Sequence, residues 1–326
     1  MYDQIITHND FDGVVSAAIC AHLYKVERIL FAGPNTIARS ELTITENDIV
    51  CDLPYPLECG LWFDHHEGNL DELKYRQMAL DDIEGAFAPK PSCARVVFDY
   101  AQDNKLQMPD FFEEMVNEAD IIDAFDYATI DEWRKETPGK IIDASIKARD
   151  DSPQSKNVYL RQLVSALSKQ PIAEVSKMDS VRERFQKYSE EESEILQLIS
   201  NSASFHPDDK SHEIVILDLT HHKRRPYIIK NLAYLLYPEA LSVLEINCLF
   251  NRGIKTNNLA VSMSLSINLN AQPHQRDIGE IMRQLNIGDG HPGAAAGTVY
   301  CDSKDWMLRE KQALLDEILE IWQKQA

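Results

Sequence analysis

Short apolar runs alternate with amphipathic stretches through the first hundred residues. Gln4–Thr7 (QIIT) reads as a strand, and Val14–Tyr24 (VVSAAICAHLY) as a helix with small residues on its inner face. Ile29–Ala32, Ile49–Cys51 and Leu61–Phe63 are further short strands, and Ser92–Ala101 (SCARVVFDYA) is another helix. This alternation predicts an α/β fold whose N-terminal part is a doubly wound, largely parallel sheet. From Pro109 to His206 the pattern turns helical, most strongly over Phe111–Ile122 and Ser180–Leu198, with the acidic KYSEEESEIL as a solvated helix face. The polar, proline-containing NSASFHPDDKSH at 201–212 reads as a boundary. It divides a first domain with a helical connector (1–200) from a smaller C-terminal α/β domain (212–326). There strands return at Ile214–Leu219, Leu241–Leu249 and Leu259–Leu265, with a helix around Ile228–Leu236. A helix at Ile278–Leu285, a glycine-rich turn, a short strand Thr298–Tyr300 and a closing helix Trp306–Gln325 complete the pattern.

A length of 326 residues supports the two-domain division, because single cores stop growing near roughly 250–300 residues. Acidic residues outnumber basic ones 53 to 33, for a net charge of −20. That excess argues against long duplex DNA as a partner, since such binding rests on many Lys and Arg contacts to phosphate. It suits a small anionic substrate only if metal ions supply positive charge locally. The six cysteines contain no C-x-x-C pair, so neither a zinc site nor a disulfide framework is expected. Reduced thiols in a cytoplasmic protein are the expectation. MYDQIITHNDFDG lacks the basic and apolar regions of a signal peptide, and no apolar run approaches the ~18 residues of a membrane span.

Three of the N-terminal strands end in acid. The first runs into His8-Asn9-Asp10-Phe11-Asp12-Gly13, the strand IVC ends at Asp52, and the strand LWF ends at Asp64-His65-His66. In an open parallel sheet the carboxyl ends of the strands line one crevice, so these groups can converge although distant in sequence. Residues i and i+2 leaving a strand share a face, which would point Asp10 and Asp12 the same way. Carboxylates so close repel unless a cation lies between them. Oxygen ligands mixed with imidazole suit Mn²⁺ or Mg²⁺ better than thiolate-preferring ions.

HNDFDG, Cys51-Asp52 and FDHHEG resemble the first three motifs of the DHH phosphoesterase superfamily, which includes RecJ-type nucleases, nano-RNases, exopolyphosphatases and type II pyrophosphatases. The family's fourth motif is an aspartate on a later helix; Asn117-Glu118-Ala119-Asp120 fits it best, with Asp123 one turn away as the alternative. The resemblance implies two divalent ions, Mn²⁺ or alternatively Mg²⁺. His8, Asp10 and Asp52 would hold one, and Asp12, Asp52, His65 and Asp120 the other, with Asp52 bridging. His66 would contact the scissile phosphate, and Asp64 would orient the neighbouring imidazole.

Gly288–Gly297 (GDGHPGAAAG) is similar to the GGGGHxxAAG segment of the family's associated C-terminal domain. Gly290, His291, Pro292, Gly293, Ala294 and Gly297 would then grip the substrate's distal end, with exposed backbone N–H groups cradling an anion. Asp289 stands where the family has glycine, and VSMSLSIN lacks the family's arginine; Arg276 or Arg283 are the candidates to compensate. The basic run His221–Arg225 follows a strand and could meet phosphates, with a solvated loop as the favoured reading. The implied function is a phosphodiesterase acting on short single-stranded oligonucleotides or small nucleotides held across an interdomain cleft. The alternatives are an exopolyphosphatase-like phosphoanhydride hydrolase and a catalytically inactive nucleotide-binding module. No membrane partner is implied, and a homodimer is left open.

Overall fold

The computed structural model describes residues 2–269 and 274–325. Five strands built from the apolar runs of the N-terminal part form one sheet: β1 (Gln4–Thr7), β2 (Ile29–Phe31), β3 (Asp48–Cys51), β4 (Leu61–Asp64) and β5 (Gly85–Phe87). All are parallel, in the order β2-β1-β3-β4-β5. Successive strand residues point to opposite faces, and both faces are buried. Ile5, Ile49, Cys51, Leu61 and Phe63 face α1 (Phe11–Tyr24), α4 (Cys93–Asp103) and α5 (Phe112–Asp123). Ile6, Val50 and Trp62 face the other way, against Ile37 of α2 (Pro34–Ala38) and Leu73 of α3 (Glu67–Tyr75). The expected doubly wound parallel sheet is therefore present. Its strand order reverses between β1 and β3, and the crevice beyond the carboxyl ends of those two strands is the switch point where such sheets bind ligands.

Helix α1 begins at Phe11, three residues before the expected start. Asp10 caps it, its side chain accepting a hydrogen bond from the Gly13 amide. Asp12 thus lies in the first helical turn, and the Asp-x-Asp pair does not extend a strand with both carboxylates on one side.

The helical stretch comprises α5, α6 (Ile130–Arg134), α7 (Pro138–Lys147), α8 (Pro153–Leu167), α9 (Ile172–Val175) and α10 (Asp179–Ser202). The chain divides into two compact units, Met1–Asp126 with Glu136–Ser189, and Tyr127–Lys135 with Glu190–Ala326. The division falls inside α10, and the polar stretch 201–212 lies within the second unit. Helix α6 belongs to that unit because Ile130 and Trp133 pack on its core around Tyr234 and Val243.

The second unit carries a mixed sheet of β6 (Ala203–Ser204), β7 (Ile214–Asp218), β8 (Ser242–Asn251), β9 (Ile254–Leu265), β10 (Gly288–His291) and β11 (Ala294–Val299). The order is β10-β11-β9-β8-β7-β6, with only β7 and β8 parallel. Three helices complete it: α11 (Ala233–Leu236), α12 (Ile278–Gln284) and α13 (Lys304–Lys324). Ile281, Met282, Ile318 and Trp322 cover one face of the sheet, and Leu232, Tyr234, Ile195 and Ile199 the other.

The glycine-rich segment is not a turn before a short strand. It is a β-hairpin in which Gly288 pairs with Gly297, Gly290 with Ala295 and His291 with Ala294. A side chain at Gly288 would place a Cβ 2.0 Å from the Ala296 carbonyl oxygen, so the close strand approach requires glycine there. Among the described residues, no helix is long and apolar enough to cross a membrane.

Candidate metal centre

Each acid-bearing strand end delivers its side chains to the switch point. After β1, His8 Nδ1 lies 2.5 Å from Asp10 Oδ2 and 3.7 Å from Asp52 Oδ2. Asp52 follows β3 in a left-handed conformation, with φ at 57°, which turns its carboxylate back over the strand ends. After β4, His65 Nε2 lies 3.7 Å from Asp12 Oδ2, 3.6 Å from Asp52 Oδ1 and 3.5 Å from Asp123 Oδ2. His66 Nδ1 donates to Asp64 Oδ1 at 2.8 Å, and Asn69 holds the other oxygen of that buried carboxylate at 2.6 Å.

Three overlapping groups among the described residues can each offer converging ligand atoms: His8, Asp10 and Asp52; Asp12, His65 and Asp123; and Asp52, His65 and His66. Asp52 reaches both His8 and His65, the position a shared ligand would need. Asp120 belongs to none of the groups. Its Oδ2 accepts from Arg95 Nε at 2.9 Å and Nη2 at 2.7 Å, and its Oδ1 accepts from Ser92 Oγ at 2.6 Å. Of the two candidate acids on α5, the structure brings Asp123, rather than the favoured Asp120, to His65.

The donor set fits a divalent cation. His65 Nδ1 faces the Lys90 carbonyl at 2.9 Å, which can only accept, so the proton resides on Nδ1. Nε2 then presents a lone pair to three carboxylates, and it is one of three buried side-chain polar atoms without a hydrogen-bond partner among the described residues. A lone pair facing anions is unfavourable unless a cation lies between them. Burial, then the negative charge of neighbouring carboxylates, pushes Asp12 and Asp52 well above the usual carboxylate range. Asp123 is pushed up to about 6 by burial and by Asp10. Burial also raises Asp10, but the hydrogen bond and charge of His8, the Gly13 amide and Lys147 together outweigh it and hold that carboxyl below its usual value. Burial, then His66, lowers His65 and favours its neutral form, whereas the Asp64 hydrogen bond raises His66.

Several contributors are invisible in the motifs. Both oxygens of Asp12 are held by backbone amides at the start of α4, Oδ2 by Cys93 at 2.7 Å and Oδ1 by Ala94 at 2.8 Å. Ser92 before that helix carries an N-cap signal, but the partner of the free amides does not follow from sequence. The loop geometry also depends on Gly13, whose Cβ would fall 2.4 Å from the His8 carbonyl oxygen. Gly13→Ala is expected to destabilise the metal-free protein by about 1–3 kcal/mol in urea titration, since the first turn of α1 must move away from His8. An unchanged midpoint would show that the loop has more room than this packing allows.

In the second unit, His291, Pro292 and Gly293 form the exposed hairpin tip, while Gly290, Ala294 and Gly297 are half-buried in the ladder. The tip is tied down by Ile278 N to Pro292 O at 2.9 Å and Leu265 N to Gly293 O at 2.8 Å. Of the two candidate compensating cations, Arg283 binds Asp289 Oδ1 at 2.7 Å. Arg276 instead stacks on Trp322 and pairs with Glu213 at 3.1 Å, so its role is packing.

No protein-family model and no curated protein matches the chain. Among solved structures it is similar to PggH, a pGpG-specific phosphodiesterase from Vibrio cholerae, with a TM-score of 0.71 and 24% identity over 98% of this chain and 99% of that one. It is also similar to the DHH domain of a protein described as a member of a ribosomal-protein family, at TM-score 0.59 and 12% identity, covering 98% and 86% of the two chains. RecJ from Thermus thermophilus in complex with Mn²⁺ matches at TM-score 0.55 and 12% identity, over 98% of this chain and 52% of RecJ. At these identities the likeness is one of fold. With acid-bearing strand ends gathered at the switch point of a 2-1-3-4-5 sheet, the chain has the fold of the DHH phosphoesterases.

Proposed function

We propose that the protein is a cytoplasmic phosphodiesterase that hydrolyses short oligonucleotides or small nucleotides with two divalent ions, Mn²⁺ or Mg²⁺. The observation that carries this is His65 Nε2, buried and unpartnered, facing Asp12, Asp52 and Asp123 at 3.5–3.7 Å. His8, Asp10 and Asp52 would hold one ion, and Asp12, His65 and Asp123 the other, with Asp52 shared. Bound divalent ions supply Lewis acidity and a hydroxide nucleophile near neutral pH.

The chain's own groups do the rest. Asp64 fixes the His66 ring through Nδ1 and favours its protonated form. The half-exposed imidazolium can then donate from Nε2 to a phosphoryl oxygen, stabilising charge that grows there during attack. Asn69 keeps Asp64 oriented by its 2.6 Å hydrogen bond. In the second unit the exposed His291-Pro292-Gly293 tip is the part of the glycine-rich segment left free to meet substrate, with Arg283 neutralising Asp289.

Likeness to a pGpG-specific phosphodiesterase over both whole chains makes a linear dinucleotide the first substrate to try. With Mn²⁺ present, pGpG and di- to penta-nucleotides are expected to turn over faster than polyphosphate, as read by chromatography of the products. Release of phosphate from polyphosphate alone would move the assignment to a phosphoanhydride hydrolase. Failure to cleave any of these, or bis-p-nitrophenyl phosphate, with either metal would leave only a binding role.

A further inference from the structure

We propose that Asp120 is a positioning residue: with Ser92 and Arg95 it fixes the helix end that holds Asp12, and so sets where Asp12 stands relative to Asp123. This rests on the metal-binding reading above.

Asp12 is buried, and the side-chain hydrogen bond it receives, from Ser16 Oγ at 3.4 Å, is long. Its two oxygens are received by the Cys93 and Ala94 amides, the first free N–H groups of α4, at 2.7 and 2.8 Å. The two short bonds come from that helix end, so its position chiefly sets that of the carboxylate. Ser92 caps the end, its Oγ accepting from the Arg95 amide at 3.0 Å. The single hydroxyl proton of Ser92 goes to Asp120 Oδ1 at 2.6 Å, which fixes the rotor in the capping orientation. Arg95, in the same turn, places Nε and Nη2 on Asp120 Oδ2, and its Nη2 also reaches Asn117 Oδ1 at 2.6 Å. Asp120 thus grips the first turn of α4 at two points.

The second half of the connection is covalent. Asp120 and Asp123 lie on α5 three residues apart, so a rigid helical turn joins the gripping carboxylate to the one beside His65. The chain of contacts runs from Asp12 through two amides, Ser92 and Arg95 to Asp120, and along α5 to Asp123. His65 Nε2 sits between its two ends, 3.7 Å from one and 3.5 Å from the other. A small divalent ion demands ligand distances near ~2.1 Å, so an error in this spacing lowers affinity directly. A rival role for Asp120 is that of a ligand masked by Arg95, and the two roles predict opposite effects of removing the guanidinium.

Mn²⁺ binding to the full chain, followed by electron paramagnetic resonance and calorimetry without substrate, separates them. Asp120→Asn and Arg95→Ala are each expected to weaken one of two Mn²⁺ equivalents about 10–100-fold, as loss of an outer-sphere partner does. The double variant should be no weaker than either single one, because both break the same connection. Excess Mn²⁺ should restore full occupancy in all three. Wild-type affinity in Asp120→Asn would overturn the proposal. So would unchanged or tighter binding in Arg95→Ala alongside a lost equivalent in Asp120→Asn, since that pattern marks Asp120 as a ligand. Wild-type protein that takes up no Mn²⁺ would overturn the metal reading itself and this role with it. Melting curves in chelator check each fold, and Arg95→Gln replaces Arg95→Ala should the latter not fold.

Discussion

The His65→Ala, His66→Ala double variant is expected to fold as the wild type does and to lose hydrolysis by about a thousandfold or more. His65 presents a lone pair to three carboxylates, and His66 is the proposed donor to substrate. In the proposed mechanism, removing both takes away a ligand and a charge-stabilising group together. The metal-free fold loses two hydrogen bonds, His65 Nδ1 to the Lys90 carbonyl and His66 Nδ1 to Asp64, at about 1–3 kcal/mol each. His65 Nε2 makes no hydrogen bond, and the His66 side chain is 54% exposed. Circular dichroism and a melt in chelator test the fold, and product release from a dinucleotide with Mn²⁺ tests the chemistry. Activity within tenfold of wild type would remove both histidines from the proposed roles.

The second large effect is a pH-dependent gain of stability from Mn²⁺. Asp12, Asp52 and Asp123 have folded-state pKa values raised above the ordinary carboxylate value, Asp123 to about 6. Between the unfolded and folded values the folded chain binds more protons than the unfolded one. Stability of the metal-free protein is therefore fully supported by these groups below about pH 4 and declines as pH rises through 6 and beyond. Metal ions need the same carboxylates deprotonated, so protons compete with them at low pH. An ion present at a hundredfold its Kd should raise the melting temperature by about 5–10 °C at pH 7.5, and by much less at pH 5. Scanning calorimetry at both values, with Mn²⁺ and with chelator, checks the sign. An equal shift at the two pH values would mean that the ion binds elsewhere.

The strands that carry the centre were legible because each is a short apolar run with a chemical stop. β1 lies where the pattern put it, and β3 and β4 each extend the expected strand by one acid. The order of the three acid-bearing ends sufficed to predict their convergence, since parallel strands share one carboxyl edge. What failed was local direction. The Asp10-x-Asp12 spacing was read with the two-residue period of a strand, although Asp10 followed by Gly13 is also an N-cap pattern. The choice between Asp120 and Asp123 was closed to sequence for another reason. Both are acids on one helix, and Arg95, 25 residues earlier in the chain, decides which one is occupied elsewhere. The glycine-rich segment misled through propensity. Glycine and alanine are poor strand formers, but Gly288 lets β10 close on β11 at a distance larger side chains forbid.

Asp52 adopts a left-handed backbone conformation that glycine, asparagine and aspartate enter at the least cost. The two alternatives each lie one nucleotide change from an aspartate codon. Either would preserve the bend after β3 while deleting the carboxylate that reaches both His8 and His65. Descendants of this gene can thus shed a candidate metal ligand without shedding architecture. In any set of sequences sharing this fold, the residue at this bend is the one to inspect before a member is assumed to be active.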